Sequence, residues 1–340
     1  MAIFQNLTIR QIAEKTNVSI ATVSRALNGT GTVRESTMLR IQNAINELAS
    51  EQSLNISLAK PKTRRLLASF PDLINPFNSK VIQGILDASF RRNYEVIFYA
   101  NKNYTHLTSY DFFLNAGDFY DGMIIAHNLP DQKLIPQLTE KCPVVMCSEH
   151  ISDAAIPYVA IDDYAAACTA VNHLISTGHK KIACINSSLT NNYATHRERG
   201  YRDCMQKAGL PIHEKWVMHL PDVSYDVAIG SVAALFEPDD FPDACFCVSD
   251  VFAASVIKLA VDRGISVPGQ LSVIGFDDID LATMTTPAIT TIHQPAYQLG
   301  WQACNLLIEQ LENPSESVRR IILNTDLIVR DSTGYLGNGE

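Results

Sequence analysis

No apolar run in the 340-residue sequence approaches the roughly 20 residues that a helix needs to cross a bilayer. The first residues carry polar or charged side chains every few positions, where a secretory signal would have an apolar core. The expected location is therefore cytoplasmic, with no membrane partner. Eight cysteines are present, but none precedes position 142 and no two stand as CxxC. That argues against a zinc site or a disulfide framework. Cys184 in KIACIN and Cys245 and Cys247 in ACFCV interrupt strand-like runs, where a free thiol acts as a small apolar group. The nine histidines are scattered without metal-ligand spacing, and no cofactor is expected. His179 in Gly-His-Lys-Lys fits a turn between helix and strand better than a catalytic role. Also missing are G-x-G-x-x-G after a strand, G-x-x-x-x-G-K-[ST], H-E-x-x-H and G-x-S-x-G. No enzyme emerges.

Charge is present but unevenly placed. Residues 1–65 hold nine Lys and Arg against four Glu, a net of +5, so with −9 overall the remaining 275 residues carry −14. A basic head on an acidic body suits a head that meets phosphates, although a merely solvated basic face would look the same.

The head has a recognisable build in LTIRQIAEKTNVSIATVSRAL, residues 7–27. Thr8 followed three residues later by Gln11 is a capping-box pattern, and Ile9, Ile12 and Ala13 share one helical face. Asn17-Val18-Ser19 breaks the run, with Ser19 placed as the next N-cap. Val23, Ala26 and Leu27 form the inner stripe of a second helix. Its outer face carries Ile20, Ala21, Thr22, Ser24 and Arg25, small or polar except for Ile20. This is the pattern of a helix-turn-helix, whose second helix enters the DNA major groove. A generic helical hairpin is the alternative. A third helix is predicted over 34–49, covering the first two with Met38, Ile41, Ile45 and Leu48. Residues 50–65 are polar and basic, as in a linker.

Beyond the linker, strand-like and helical segments alternate. LLASF, EVIFYA, GMIIAH and PVVMC form one series of strands, and KIACIN, WVMH, ACFCV and LSVIG a second. Such alternation predicts two open parallel sheets flanked by helices. Ligands bind such sheets beyond the carboxyl ends of the strands. The positions there include residues 72–77, Asn101, His127, Ser148-Glu149, residues 186–197, Asp222-Val223, Ser249-Asp250 and Asp277-Asp278. Most can form hydrogen bonds, as a polar ring-shaped ligand requires, and Phe77 offers an apolar face to the ring.

TIRQIAEKTNVSIATVSRALN resembles the opening of the lactose/galactose repressor (LacI/GalR) family nearly position for position. The resemblance continues at Asn75-Pro76-Phe77, Asp121-Gly122, GHKKI (178–182), RERG (197–200), Ser249-Asp250, VPGQLSVIGFDDIDLA (267–282) and TPAITTIHQP (286–295). Each motif is weak alone, and the ordered series is specific. It covers almost the whole chain. The fold it implies is α/β: a three-helix helix-turn-helix head plus a periplasmic-binding-protein-like core of two doubly wound parallel-sheet subdomains. The expected boundaries are 1–50 for the head and 51–65 for the hinge. The N-subdomain is 66–161 with 293–325, and the C-subdomain 162–292 with 326–340. Crossings are placed near 161–162, 291–293 and 324–327.

The resemblance also implies a function: a sequence-specific transcriptional regulator, a repressor, binding a palindromic operator as a homodimer under control of a small effector. Ile20, Ala21 and Arg25 occupy the family's base-contacting positions, within a DNA-facing set of Thr8, Ser19, Thr22, Ser24 and Asn28. Leu58 best matches the hinge leucine that the family pushes into the minor groove. The lead-in to that hinge departs from the family, reading Ser50-Glu51-Gln52-Ser53 for Tyr-x-Pro-Asn, with one residue fewer and Asn55 for a common Ala. Arg197 and Asp277 match the family's ligand-binding Arg and Asp, with Phe77, His127, Ser148, Ser249 and Asp250 completing the expected site. Asp277 and Asp250 as helix caps, and Arg197 as a surface residue, are the alternatives. Val223 stands where sugar- and purine-binding relatives often have a large aromatic. Val81, Ile82, Ile85 and Leu86 match the family's dimer interface, or else form the face packed on their own sheet. The glycine-rich tail GYLGNGE has no heptads, unlike the lactose repressor's four-helix tetramerisation device. Around VVMCSEH, VAIDDYAAACTAVNHL and GFDDIDLA the sequence is most similar to the cytidine-repressor branch, so a nucleoside is the first effector expected and a sugar the second. Two rivals remain: a periplasmic solute-binding protein, which should lack the basic head, and an enzyme on a doubly wound fold, which should carry a phosphate loop.

Overall fold

The computed structural model describes residues 8–52, 63–100, 119–129, 131, 133–151, 155–236, 240–314 and 317–336. Leu58 and Asn101 lie outside them. The chain divides into two units, Met1–Thr63 and Arg64–Glu340.

In the first unit, α1 (Ile9–Thr16), α2 (Ile20–Asn28) and α3 (Glu35–Gln52) enclose a core of Ile12, Ala13, Val23, Ala26, Ile41 and Ile45. The capping box forms: the Gln11 amide donates to Thr8 Oγ1 at 3.3 Å and the Thr8 amide to Gln11 Oε1 at 2.8 Å. α1 ends on Asn17 in the left-handed region, and Ser19 then caps α2 by accepting from the Thr22 amide at 3.2 Å. Gly29, at φ 63°, ends α2. Asn and Gly are the residues that tolerate such a C-terminal turn most readily. The short turn between two capped ends forces the helices to cross on their Val23 and Ala26 side.

The second unit alternates strands and helices: β1 (Arg65–Phe70), α4 (Pro76–Arg91), β2 (Glu95–Ala100), β3 (Gly122–Ile125), α5 (Leu134–Lys141), β4 (Val144–Cys147), β5 (Tyr158–Ile161), α6 (Asp163–Ser176), β6 (Ile182–Ser187), α7 (Asn192–Lys207), β7 (Val217–Leu220), α8 (Tyr225–Ser231), β8 (Ala244–Cys247), α9 (Asp250–Asp262), β9 (Ser272–Asp277), α10 (Leu281–Met284), β10 (Thr290–His293), α11 (Ala296–Glu312), β11 (Arg320–Leu323) and β12 (Asp326–Ile328). Two six-stranded sheets result, ordered β11-β5-β4-β3-β1-β2 and β12-β10-β9-β8-β6-β7. Every pair is parallel except β10 with β12, which run antiparallel. The inner strands β3, β4, β6, β8 and β9 are buried along their whole length. Helices on both faces explain why they read as continuous apolar runs. The four strands not anticipated, β5, β10, β11 and β12, have three or four residues each, too few for a clear period.

The chain passes to the second sheet after β5, returns after β10 to supply α11 and β11, and crosses again to β12. α11 packs on α4 with almost no separation. A Cβ on Gly84 would lie 2.0 Å from the Tyr297 carbonyl oxygen, and one on Gly300 2.0 Å from that of Val81. That contact corrects the expected dimer patch. Val81 and Ile85 are buried against α11, and of the four expected residues only Ile82 and Leu86 reach the surface of α4. The eight cysteines are free thiols, seven buried and Cys168 partly so.

Candidate functional site

The outer face of α2 is the first site. Ile20 is 55% exposed, although it is a large aliphatic group, and Ala21, Arg25 and Asn28 are exposed beside it. Thr22 and Ser24 are half-buried. The polar members bond one another: Ser19 Oγ with Thr22 Oγ1 at 2.8 Å, Asn28 Nδ2 to Ser24 Oγ at 3.2 Å, and Arg25 Nε to the Ala21 carbonyl at 3.2 Å. All of these are exposed and exchangeable for a base edge or phosphate. Thr8 is exposed at the start of α1, committed to its capping box.

The second site is a cleft of about 850 Å³, including its open mouth, between the carboxyl ends of the two sheets. From the first sheet, Phe77 enters by way of the Asn75-Pro76-Phe77 motif. Asn75 caps α4 by accepting from the Phe77 amide at 3.0 Å, and Pro76 takes the first helical turn. Asp72 Oδ1 accepts from the amides of Ile74 and Asn75, fixing the loop before the helix. Ser148 and Glu149 follow β4, Ser148 in the left-handed region at φ 67°.

His127 lines the cleft but is spoken for. Its Nδ1 faces the Asn128 carbonyl at 3.0 Å, which can only accept, so Nε2 accepts from Ser69 Oγ at 2.7 Å. Burial pushes it down to about 4, so the ring is neutral.

The second sheet contributes Arg197, Ser249, Asp277 and Gln294. Arg197 is buried, not on a helix surface. Its Nε donates to Asp163 Oδ1 at 2.8 Å and Nη1 to the Val248 carbonyl at 2.7 Å, while its plane lies over the Phe276 ring, 3.5 Å from the centroid. Asp277 ends β9 at φ 109°, a strained conformation of the kind that clusters at binding sites. It caps no helix. Its Oδ1 accepts from Gln294 Nε2 at 2.7 Å and lies 3.9 Å from Arg197 Nη1. Burial raises its carboxyl to about 7 against the opposing pull of Arg197.

Asp250 is a correction. It does not line the cleft: Oδ2 accepts from the Ile279 amide at 2.9 Å and Oδ1 from Thr291 Oγ1 at 2.6 Å, tying α9 to β10 and the loop after β9. Ser249, its neighbour, is the α9 cap and does reach the cleft. Among the lining residues, Glu149 was placed after its strand but left out of the expected site, Tyr193 was reached only within the segment 186–197, and Gln294 was not pointed to. Each lies within or beside a strand-end segment, but only the fold shows which side chains there turn inward. Across the mouth, Asn128 and Asn192 exchange amide hydrogen bonds at 3.1 and 3.2 Å, and Asn192 Nδ2 also donates to the His150 carbonyl at 2.7 Å. These bonds join the first sheet's loops to the start of α7.

The family profile described as bacterial regulatory proteins, lacI family, matches residues 8–49, and that of a periplasmic binding protein-like domain matches residues 171–333. Over 333 residues, 97% of each chain, the sequence is 32% identical to the HTH-type transcriptional repressor CytR of Escherichia coli (strain K12). The chain belongs to the LacI family. Another LacI-family relative, catabolite control protein A of Priestia megaterium, is 32% identical over 333 residues, covering 96% of this chain and 99% of its own. A solved LacI-family regulator from Enterococcus faecium, with bound ribose, superimposes with a TM-score of 0.70 at 25% identity, covering 80% of this chain and all of its own. Members of the LacI family are regulators that bind operator DNA and small sugar or nucleoside effectors; they are not enzymes. The chain is accordingly a DNA-binding transcriptional regulator with a ligand-binding core and not a pure solute carrier.

Proposed function

We propose that this regulator is a cytoplasmic homodimeric repressor whose hold on a palindromic operator is set by one small polar effector in the cleft. The supporting observation is convergence: Phe77, Ser148 and Glu149 from one sheet face Arg197, Ser249, Asp277 and Gln294 from the other across a single space. A nucleoside is the first reading, on the sequence resemblance to the cytidine-repressor branch. A free sugar is the second, supported by the ribose-bound relative. An effector touching both sheets favours one angle between them, and only such differential affinity can shift an equilibrium. The Asn128–Asn192 bonds across the mouth would be made at one angle and lost at another. The change would reset the spacing at which a dimer tethers its two heads.

For the pairing surface, the outward side of α4 is the better choice. Leu86 is 46% exposed and Phe90 83%, with Ile74 equally bare just before the helix.

The test is calorimetry of cytidine and of ribose, with and without an operator selected from random DNA. Operator must alter effector affinity by the factor that effector alters operator affinity. Asp277→Asn keeps the shape and should weaken the effector about 10-fold or more through loss of a carboxyl acceptor. Identical effector affinities with and without operator would overturn the scheme.

A further inference from the structure

Carboxyl groups outnumber cations in the cleft. Asp72, Glu149, Asp222 and Asp277 line it, while Arg197 is the sole Lys or Arg among its described lining residues. That guanidinium is already matched inside the protein by Asp163 and by the Val248 carbonyl, with Asp277 nearby. Asp72 is also occupied, through Oδ1, with its own loop. Glu149 differs from the rest. It is only 5% exposed, lies on the cleft wall beyond β4, and neither carboxyl oxygen has a partner at hydrogen-bond geometry, the Tyr193 and Asn192 amides approaching without closing a bond. A buried polar group in that state is unfavourable until a partner arrives.

We infer that Glu149 is a ligand-recognition residue, and that the cleft takes an uncharged or cationic effector rich in hydrogen-bond donors and rejects its phosphorylated form. The inference rests on the reading of the cleft as the effector site. A phosphate ester carries about −1.5 to −2 charges at neutral pH and needs uncommitted cations or amides. Here the one lining cation is a guanidinium already held by Asp163, and a buried dianion without a matching cation is strongly disfavoured. Hydroxyl and amino groups need acceptors, which Glu149 and Asp277 supply from opposite walls. Burial, then the nearby Asp163 carboxylate, raises Glu149 to about 8, against the pull of the Tyr193 and Asn192 amides and of Arg197. At neutral pH it therefore keeps a proton and offers an O–H donor beside a carbonyl acceptor. A vicinal diol, or the amino and ring-nitrogen edge of a nucleobase, presents the matching pair.

The experiment titrates the full-length protein with matched compounds: cytidine and cytidine 5′-monophosphate, adenosine and its monophosphate, ribose and ribose 5-phosphate, glucose and glucose 6-phosphate. A bacterial small-molecule extract, split by anion exchange, is screened beside them by thermal shift. Stabilisation should come from unphosphorylated compounds and from the unretained fraction, with phosphorylated partners roughly 100-fold weaker or worse. Glu149→Ala should weaken the stabilising compound about 10-fold, while Glu149→Gln, a neutral donor and acceptor, should stay within about threefold. A phosphorylated compound binding as tightly as its parent overturns the inference but leaves the cleft as an effector site. So does stabilisation confined to the retained fraction and abolished by phosphatase. Unchanged affinity in Glu149→Ala removes Glu149 from recognition. If no compound and no fraction stabilises the protein, the effector reading falls, and this inference with it.

Discussion

Arg197 and Asp163 form a buried ion pair, Nε to Oδ1 at 2.8 Å, with both side chains less than a tenth exposed. The pair joins the start of α6 to the first turns of α7, and the same guanidinium presents its remaining edge to the cleft. Removing it would leave Asp163 charged and unmatched in the interior, a loss of about 3–5 kcal/mol. Arg197→Ala should therefore unfold at markedly lower urea concentration. An unfolding midpoint within error of the wild type would show that Asp163 finds another partner. For this reason Asp277→Asn is the cleaner variant for testing effector binding.

Arg25 is held against its own helix by exposed bonds that DNA can replace. An arginine paired with guanine gives roughly 1–3 kcal/mol of discrimination. Arg25→Ala should weaken binding to the selected operator by that amount and affect random DNA much less. Equal losses on both would mean that Arg25 touches only phosphate.

Two cleft carboxyls bind protons more firmly in the folded protein than in the unfolded chain, Asp277 up to about 7 and Glu149 up to about 8. The stability this contributes is fully present below their ordinary values and is lost as pH rises through the raised ones. The slope is about 1.4 kcal/mol per pH unit for each retained proton. His127, pushed down to about 4, acts with the opposite sign between there and its ordinary 6.5, so the informative quantity is a difference. Glu149→Gln should flatten the fall in unfolding free energy between about pH 5 and 8 by one proton's share. Parallel curves for variant and wild type would mean that Glu149 is already ionised in the folded state.

Phe90 and Val81 stand on opposite sides of α4, one bare and one buried. Phe90→Asp should give monomers in sedimentation at micromolar concentration with an unchanged unfolding midpoint. Val81→Ala should do the reverse, keeping the assembly but losing about 0.5–3 kcal/mol of stability. A dimer that survives Phe90→Asp would move the interface elsewhere.

Local rules carried much of the reading. Capping box, helix periods, glycine and asparagine stops and the Asn-Pro-Phe helix start are decided by neighbours in sequence, so the head and the position of Phe77 were legible before any fold was seen. The alternation of buried strands and helices likewise announced two wound sheets. Periodicity says that a helix face is apolar, not what it packs on. Val81 and Ile85 turned out to be interior because α11, more than 200 residues later, lies against them through Gly84 and Gly300.

The sequence by itself determined the head, the two-sheet plan and the family, because each rests on contacts between near neighbours or on ordered motifs. Only the tertiary structure decided which strand-end carboxyls matter. Asp250 and Asp277 look alike in sequence, each polar beside a strand. One has both oxygens consumed by Ile279 and Thr291, and the other is turned into the cleft by a left-handed backbone. Glu149, one of many polar residues placed after a strand, stood out from the others only when its burial and the poor pairing of its carboxyl could be seen together. Both are properties of what surrounds a side chain, and the surroundings come from residues far away along the chain.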